Sequence, residues 1–175
     1  DGFLAAGHVC TVTGDACYEP FVDRYHLPVV VTGFEPVDLL MGILDCIRQL
    51  ERSTARVTNC YPRSVVPDGN RQARAAIEAI YEPCDRPWRG IGVVPMGGFR
   101  LQEKWTAFDA ARRFTHPAQP VHESPDCRSG DVLTGRIKPI ACPCFGTTCT
   151  PENPLGAPMV SAEGACAAYY RFKSG

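Results

Sequence analysis

Apolar residues in the first 115 positions alternate between runs of strand length and segments of helical spacing. The run HLPVVVTGF (26–34) is rich in β-branched residues and ends at a glycine, which predicts a strand. The segment that follows (35–53) carries apolar residues at helical spacing, and Pro36 suits a first helical turn. These apolar positions are Leu40, Ile43, Leu44 and Ile47. A strand followed directly by a helix is the start of a βαβ unit.

The same alternation continues on both sides of this unit. The pattern of residues 1–9 predicts a strand that runs into a loop, and that of residues 15–26 predicts a short helix. Further strands are predicted at 55–61 and 90–98, and further helices from Asn70 and over 101–114. The predicted inward-facing residues are Ala73, Ala76, Ile77, Ile80 and Tyr81 on the first of these helices, and Trp105 and Phe108 on the second. We therefore predict an α/β fold, with an open parallel sheet covered on both faces by helices, over residues 1–115.

The pattern changes after this region. Residues 116–126 contain prolines and histidines and are predicted to be a linker. Residues 127–175 lose the periodicity and are rich in cysteine, proline and glycine. This tail predicts a small irregular module that is held together by its cysteines.

Composition excludes several classes of protein. The 175 residues are 45% hydrophobic and 21% charged, which is an ordinary globular balance, and the formal net charge is −1. Without a block of Lys or Arg we expect no nucleic-acid partner and no anionic membrane surface. The apolar runs are too short to span a bilayer, and the first residues lack the features of a secretion signal.

Cysteine is the exception in this composition. Five of the ten cysteines are scattered singly through the first two-thirds of the chain, and the other five lie in the last 49 residues. Cys127, Cys142, Cys149 and Cys166 are separated by 15, 7 and 17 positions. Structural zinc normally takes two close cysteine pairs, and only Cys142-Pro-Cys144 approaches one. Wide spacing favours a larger object such as a four-iron, four-sulfur cluster, while zinc and a disulfide framework stay open as alternatives.

Two predicted strand ends carry residues that could bind a partner. His8 follows a glycine at a strand end, where ligands bind in open α/β folds, although a histidine in a turn is commonly just a hydrogen-bonding residue. Glu35 and Asp38 lie where a strand turns into a helix. Their charges disfavour a phosphate at that helix N-terminus. We expect these carboxylates to cap the helix or to engage a partner.

The tail CRSGDVLTGRIKPIACPCFGTTCTPENPLGAPMVSAEGACAAYY (127–170) closely resembles the C-terminal module of the HypD family of nickel–iron hydrogenase maturation factors. The resemblance extends upstream through DGFLAAGHVCTVTG, VTGFEPVDLL, NCYPRSVVPDGN, WRGIGVVPMGGFRL and FDAARRF. It implies a cytoplasmic protein that carries a four-iron, four-sulfur cluster on Cys127, Cys142, Cys149 and Cys166. It also implies a HypC-type chaperone and a HypE-type cyanide donor as partners in assembling the Fe(CN)2CO unit of the hydrogenase.

The sequence departs from the family pattern at several points. Ser129 and Pro158 stand where the family often has cysteines, and Cys144 where a large apolar residue is usual. The family's Cys-Gly-Gly-His and Gly-Pro-Gly-Cys-Pro-Val-Cys segments are not among these residues. The resemblance assigns to the first of them the thiol that holds a transient iron, so no catalytic residue is assigned here. We expect this chain to correspond to the C-terminal half of such a protein.

The resemblance also implies how the parts would work together. The cluster would relay electrons toward the site of cyanide transfer, so the protein would be a redox-active assembly scaffold rather than a conventional turnover enzyme. His8 and the Glu35/Asp38 turn would form one wall of the cleft where partners dock. The alternative is an interaction module without redox function, in which zinc or a cluster only stabilises the tail.

Overall fold

The computed structural model describes residues 1–114 and 124–172 and divides the chain into two compact units. Unit 1 spans Asp1–Ile80, and unit 2 spans Tyr81–Gly175. The boundaries predicted at 115 and 126 fall within unit 2 and stay a prediction. Residues 116–123 of the predicted linker lie outside the described residues.

Unit 1 is an α/β layer built on a parallel sheet. Its elements are β1 (Phe3–Ala6), α1 (Gly7–Thr13), a 3-10 turn (Ala16–Tyr18), α2 (Glu19–Tyr25), β2 (Val29–Thr32), α3 (Pro36–Glu51), β3 (Val57–Asn59) and α4 (Arg71–Ile80). The three strands pair in parallel in the order β1-β2-β3, with Phe3 opposite Val29 and Val29 opposite Val57. The parallel α/β prediction is therefore confirmed for this part of the chain.

The core of unit 1 lies around the central strand. All four residues of β2 are buried, as expected for a strand that is covered on both faces. Val29 and Val31 of this strand form a buried apolar cluster with Ala5, Cys10, Val22 and Val65. The loop predicted after β1 is wrong, because the chain turns at once into α1. Burial of Cys10 fixes this short helix in the core despite its several β-branched residues.

Helix α3 forms as predicted, but its apolar stripe does not face the sheet. Leu40, Ile43, Leu44 and Ile47 are 43–66% exposed. The buried positions of α3 are instead Asp38, Gly42 and Gln49. The Gln49 amide donates to Asp45 and Thr58 at 2.9 and 3.0 Å and accepts from the Arg56 amide at 3.0 Å. Hydrogen bonds thus join this helix to the sheet where apolar contacts would be usual.

Unit 2 begins with an antiparallel hairpin. β4 (Tyr81–Trp88) pairs with β5 (Gly92–Leu101), and the two form a separate two-stranded sheet. The prediction that 90–98 adds a strand to the parallel sheet is therefore wrong, and Tyr81 belongs to β4 and not to the preceding helix. Gly90, at φ +81°, allows the tight turn between the strands, and the prolines of β4 suit a strand without two neighbours.

The helix predicted over 101–114 is also wrong. The structure has a 3-10 helix (Glu103–Phe108) followed by the single-turn helix α5 (Ala110–Arg113). Asp109 separates them, because its carboxylate accepts a hydrogen bond from the Ala111 amide and starts a new helix. Phe108 is 73% exposed, so its predicted inward orientation is wrong.

The rest of unit 2 consists of short helices that are joined by turns. These are α6 (Ser129–Leu133), a 3-10 turn (Pro139–Ala141), α7 (Ala157–Val160) and α8 (Ala165–Phe172). Phe145, Cys149, Met159 and Ala167 form the small core. Across residues 1–114 and 124–172, no helix combines the length and apolar character that a membrane span requires.

Candidate functional site

Two groups of side chains are candidates for function, one in each unit. The first lies where the parallel strands of unit 1 end, which is the usual ligand edge of an open α/β sheet. We call it the sheet-edge cluster. Its members are His8, Phe34, Glu35, Asp38, Tyr61 and Arg63.

An ion-pair network forms the centre of the sheet-edge cluster. The Arg63 guanidinium donates to both carboxylate oxygens of Asp38, at 2.8 and 2.5 Å, and to Glu35 at 3.2 Å. Asp38 is buried, and its hydrogen bonds from Arg63 hold the pKa of that carboxyl below its usual range. Glu35 occupies the N-cap position of α3, but its side chain makes no capping hydrogen bond. Both carboxylates therefore serve to hold Arg63.

The aromatic ring of Tyr61 packs against Arg63 of this network. The guanidinium carbon of Arg63 lies 4.3 Å from the centre of the Tyr61 ring, in cation–π geometry. Gly7 and Gly33 allow the ring to approach the strand ends, because a Cβ at either position would lie within 2.8 Å of ring atoms. Arg63 is thus held by charge on one side and by an aromatic face on the other.

The surface of the sheet-edge cluster is aromatic. His8 is exposed at the start of α1, and its ring lies 5.1 Å from that of Phe34, with 38° between the planes. Phe34 itself is 67% exposed. Because the charge of Arg63 is balanced by two carboxylates, the site suits a protein surface better than a free anion.

Sequence reasoning found His8, Glu35 and Asp38 but missed the other members of the sheet-edge cluster. A usable signal was present. The segment NCYPRS (59–64) includes the end of the predicted strand 55–61 and the residues after it, so Tyr61 and Arg63 could be expected at the same sheet edge as Glu35. The ion pair between Arg63 and Asp38 joins residues 25 positions apart, and periodicity within one helix carries no information about it.

The second candidate is a cavity in unit 2 that five cysteines line. We call it the cysteine pocket. The cysteines are Cys127, Cys142, Cys144, Cys149 and Cys166, and apolar side chains, among them Phe145 and Met159, complete the wall. All ten cysteines of the chain lie in its described part, and all are free thiols.

Different elements bring these thiols together. Cys127 lies in the turn before α6, and Cys142 directly follows the 3-10 turn Pro139–Ala141. Cys149 lies in a loop, where its backbone forms an isolated β-bridge with that of Phe145, and Cys166 lies on α8. Residues 15, 7 and 17 positions apart thus line one cavity.

Electrostatics distinguishes Cys144 from the other four. Burial, as the largest cause, and the neighbouring thiols of Cys149, Cys142 and Cys127 together raise the pKa of Cys166 to about 11. Cys144 is not among these neighbours, and its thiol donates to the carbonyl of Asp126 at 3.6 Å. The other three predicted ligands therefore lie within electrostatic reach of Cys166.

The backbone of residues 155 and 156 closes one side of the pocket. The Leu155 amide donates to the Cys149 sulfur at 3.4 Å. A Cβ on Gly156 would lie well under 3.0 Å from the Cys127 sulfur, so only glycine fits there without a shift. In the described ranges, no three His, Cys, Asp or Glu side chains are grouped closely enough to hold a single metal ion.

Comparison with known proteins gives the family. The HypD sequence family, described as "Hydrogenase formation hypA family", matches residues 1–173. Hydrogenase maturation factor HypD of Escherichia coli K12 is 45% identical over 99% of this chain and 47% of its own length. Hydrogenase maturation factor HypD1 of Bradyrhizobium diazoefficiens is 41% identical over 99% of this chain and 46% of its own length.

A third relative carries a different name. Hydrogenase expression/formation protein HupD of Azotobacter chroococcum is 43% identical over 98% of this chain and 46% of its own length. The chain spans about half the length of the curated relatives that it matches. The predicted resemblance is confirmed over nearly every residue, and the chain belongs to the HypD family.

Proposed function

We propose that this chain binds a four-iron, four-sulfur cluster in the cysteine pocket and takes part in hydrogenase maturation. In this proposal it contributes to assembling the Fe(CN)2CO unit, as the corresponding half of a family-length protein. The observation that carries the proposal is the convergence of Cys127, Cys142, Cys149 and Cys166 on one largely apolar cavity.

The residues of the pocket fit such a group. Four thiols are the usual donor set of this cluster, and no carboxylate lines the cavity to favour a harder metal. Gly156 leaves the Cys127 sulfur free of a neighbouring Cβ. The cavity itself measures about 20 Å³, room for one water molecule, so the pocket would have to widen around the thiols to admit the cluster.

The cluster would supply one-electron chemistry, which in this proposal supports cyanide transfer. The protein's own contribution is the surrounding shell. Phe145, Met159 and Val132 give the thiols largely apolar surroundings. Turns and loops hold Cys127, Cys142 and Cys149, and helix α8 holds Cys166. A transient iron would be cargo of the assembly, held by a thiol of the family-length protein outside these residues.

We further propose the sheet-edge cluster as part of the surface that receives a HypC-type chaperone and a HypE-type cyanide donor. His8 and Phe34 present an exposed aromatic pair, and such residues are enriched at protein interfaces. The ion-pair network of Arg63, Asp38 and Glu35 would give a partner polar contacts.

A second candidate function is that of an interaction module in which zinc, or a cluster that stays in one redox state, only stabilises the tail. Thiolates also bind zinc tightly. Because no three of the described thiols are grouped closely enough for one metal ion, zinc binding would require them to move closer together. Metal analysis distinguishes zinc from iron, and reduction of the bound cluster distinguishes a relay from a structural cluster.

The ligand assignment is tested by two cysteine variants that are prepared anaerobically and reconstituted with iron and sulfide. Cys149→Ala should lose the cluster, because one iron would have no thiolate. Cys144→Ser is the matched control and should keep about four irons per chain, as expected for one cluster, because its sulfur is directed to Asp126. Full iron content in Cys149→Ala, or loss of iron in Cys144→Ser, would show that the ligand set is wrong.

A further inference from the structure

Cys149 differs from the other proposed ligands in its surroundings. It is 7% exposed, whereas Cys127, Cys142 and Cys166 are only partly buried. Its sulfur also accepts the 3.4 Å hydrogen bond from the Leu155 amide. That distance is normal for an N–H group donating to a sulfur atom, which is larger than oxygen.

The turn before Leu155 holds this amide in place. The backbones of Thr150 and Asn153 exchange hydrogen bonds at 3.4 and 3.1 Å, and the Asn153 side chain donates to the Thr148 carbonyl at 2.8 Å. The chain thereby folds back on Cys149 within six residues. The Leu155 amide donates to the sulfur as a consequence of this turn, and the Leu155 side chain takes no part in the hydrogen bond.

We propose that the Leu155 amide sets the reduction potential of the cluster by donating to the Cys149 sulfur; this inference rests on the proposed function. Reduction adds one electron to the cluster and makes its cysteine sulfurs more negative. A hydrogen bond to a more negative acceptor is stronger, so the bond stabilises the reduced state and raises the potential.

The apolar wall of the pocket increases the effect of this single bond. Phe145, Val132 and Met159 provide little polarisation of their own, and in such surroundings a hydrogen bond is electrostatically stronger than in water. Leu155 is therefore a positioning residue that acts through its backbone, and its side chain, which lines the pocket, is expected to be replaceable by another apolar side chain of similar size.

The test compares Leu155→Pro, which lacks the amide hydrogen, with Leu155→Met, which keeps both the amide hydrogen and an apolar side chain of similar volume. Both are made in the 175-residue chain, reconstituted anaerobically, and titrated with redox mediators while the cluster is followed by its visible and EPR spectra. At a fixed potential we expect the ratio of reduced to oxidised cluster to fall about threefold to tenfold in Leu155→Pro, where tenfold corresponds to about 59 mV. Leu155→Met should match the wild type.

If the Leu155→Pro variant does not bind the cluster, a measurement on the wild-type chain still tests the inference. Leu155 is the leucine among the residues that line the pocket. In protein labelled with 15N-leucine, pulsed EPR of the reduced cluster should show coupling to a leucine nitrogen. The absence of this coupling, or an unchanged potential in a loaded Leu155→Pro, would overturn the inference and leave the proposed function standing. A wild-type chain that binds no cluster would overturn both.

Discussion

Replacing Gly156 by alanine should prevent cluster binding while leaving the fold intact. Gly156 has φ −140° and ψ 158°, an extended conformation that alanine adopts without strain. The added Cβ would lie under 3.0 Å from the Cys127 sulfur, whereas ordinary contacts begin at 3.4 Å, so the sulfur must move by more than about 0.4 Å. Metal ligands tolerate deviations of only about 0.2 Å, so the shift is at least twice what a ligand sulfur can absorb.

The two states of the protein should respond differently to this change. In the cluster-free chain the Cys127 thiol can rotate away from the new methyl group, so the free energy of unfolding should change little. A sulfur bound to iron has no such freedom. We therefore expect Gly156→Ala to retain less than half of the wild-type iron and sulfide after anaerobic reconstitution.

Gly135→Ala is the matched control. Gly135 has φ +72° and no atom within 4 Å of an added Cβ, so alanine there introduces backbone strain without touching a cysteine. It should cost about 1–2 kcal/mol of stability and keep its iron. Full iron content in Gly156→Ala, or equal losses in both variants, would refute the reasoning.

Three further predictions concern unit 1 and the whole chain. Arg63 lowers the pKa of Asp38, so their pairing stabilises the fold above the ordinary carboxyl pKa of about 4, and this stabilisation is lost as pH falls through the lower folded-state pKa. Urea unfolding measured from pH 5 to 2 should show this loss in the wild type and not in Arg63→Met. Equal pH dependences of the unfolding free energy in the two proteins would contradict the prediction. Gln49→Leu should destabilise unit 1 by about 1–3 kcal/mol, because the partly buried backbone amide of Arg56 loses its acceptor. An unchanged denaturation midpoint would show that the network contributes nothing. Residues 1–175 alone should not restore hydrogenase activity to a strain that lacks its HypD protein, because they contain no Cys-Gly-Gly-His segment. Restored activity would mean that one of the cysteines present holds the iron.

Sequence reasoning predicted those parts of the fold in which a local pattern decides the structure. The run Val29–Val31 could only be a buried strand, and the paired helix and strand around it followed from ordinary βαβ geometry. The resemblance to the HypD family named four tail cysteines, and the structure brings these four and Cys144 to one pocket.

The errors lie where long-range contacts override local propensity. The hairpin of β4 and β5 depends on a partner strand that contains two prolines, which weaken any strand prediction. Helix α3 packs on the sheet through Gln49 and Asp38, whose partners lie in or after β3. Sequence patterns did not predict the roles of Arg63 and the Leu155 amide for the same reason. The role of Arg63 depends on an ion pair with Asp38, and that of the Leu155 amide depends on a backbone hydrogen bond to the Cys149 sulfur.

The most direct test of the central claim is the metal and sulfide content of the 175-residue chain, purified without exposure to oxygen. We predict about four irons and four sulfides per chain, a brown colour, and little zinc, as four thiolates around one cluster require. One zinc per chain without sulfide, or no bound metal after reconstitution, would contradict the assignment of Cys127, Cys142, Cys149 and Cys166 as cluster ligands.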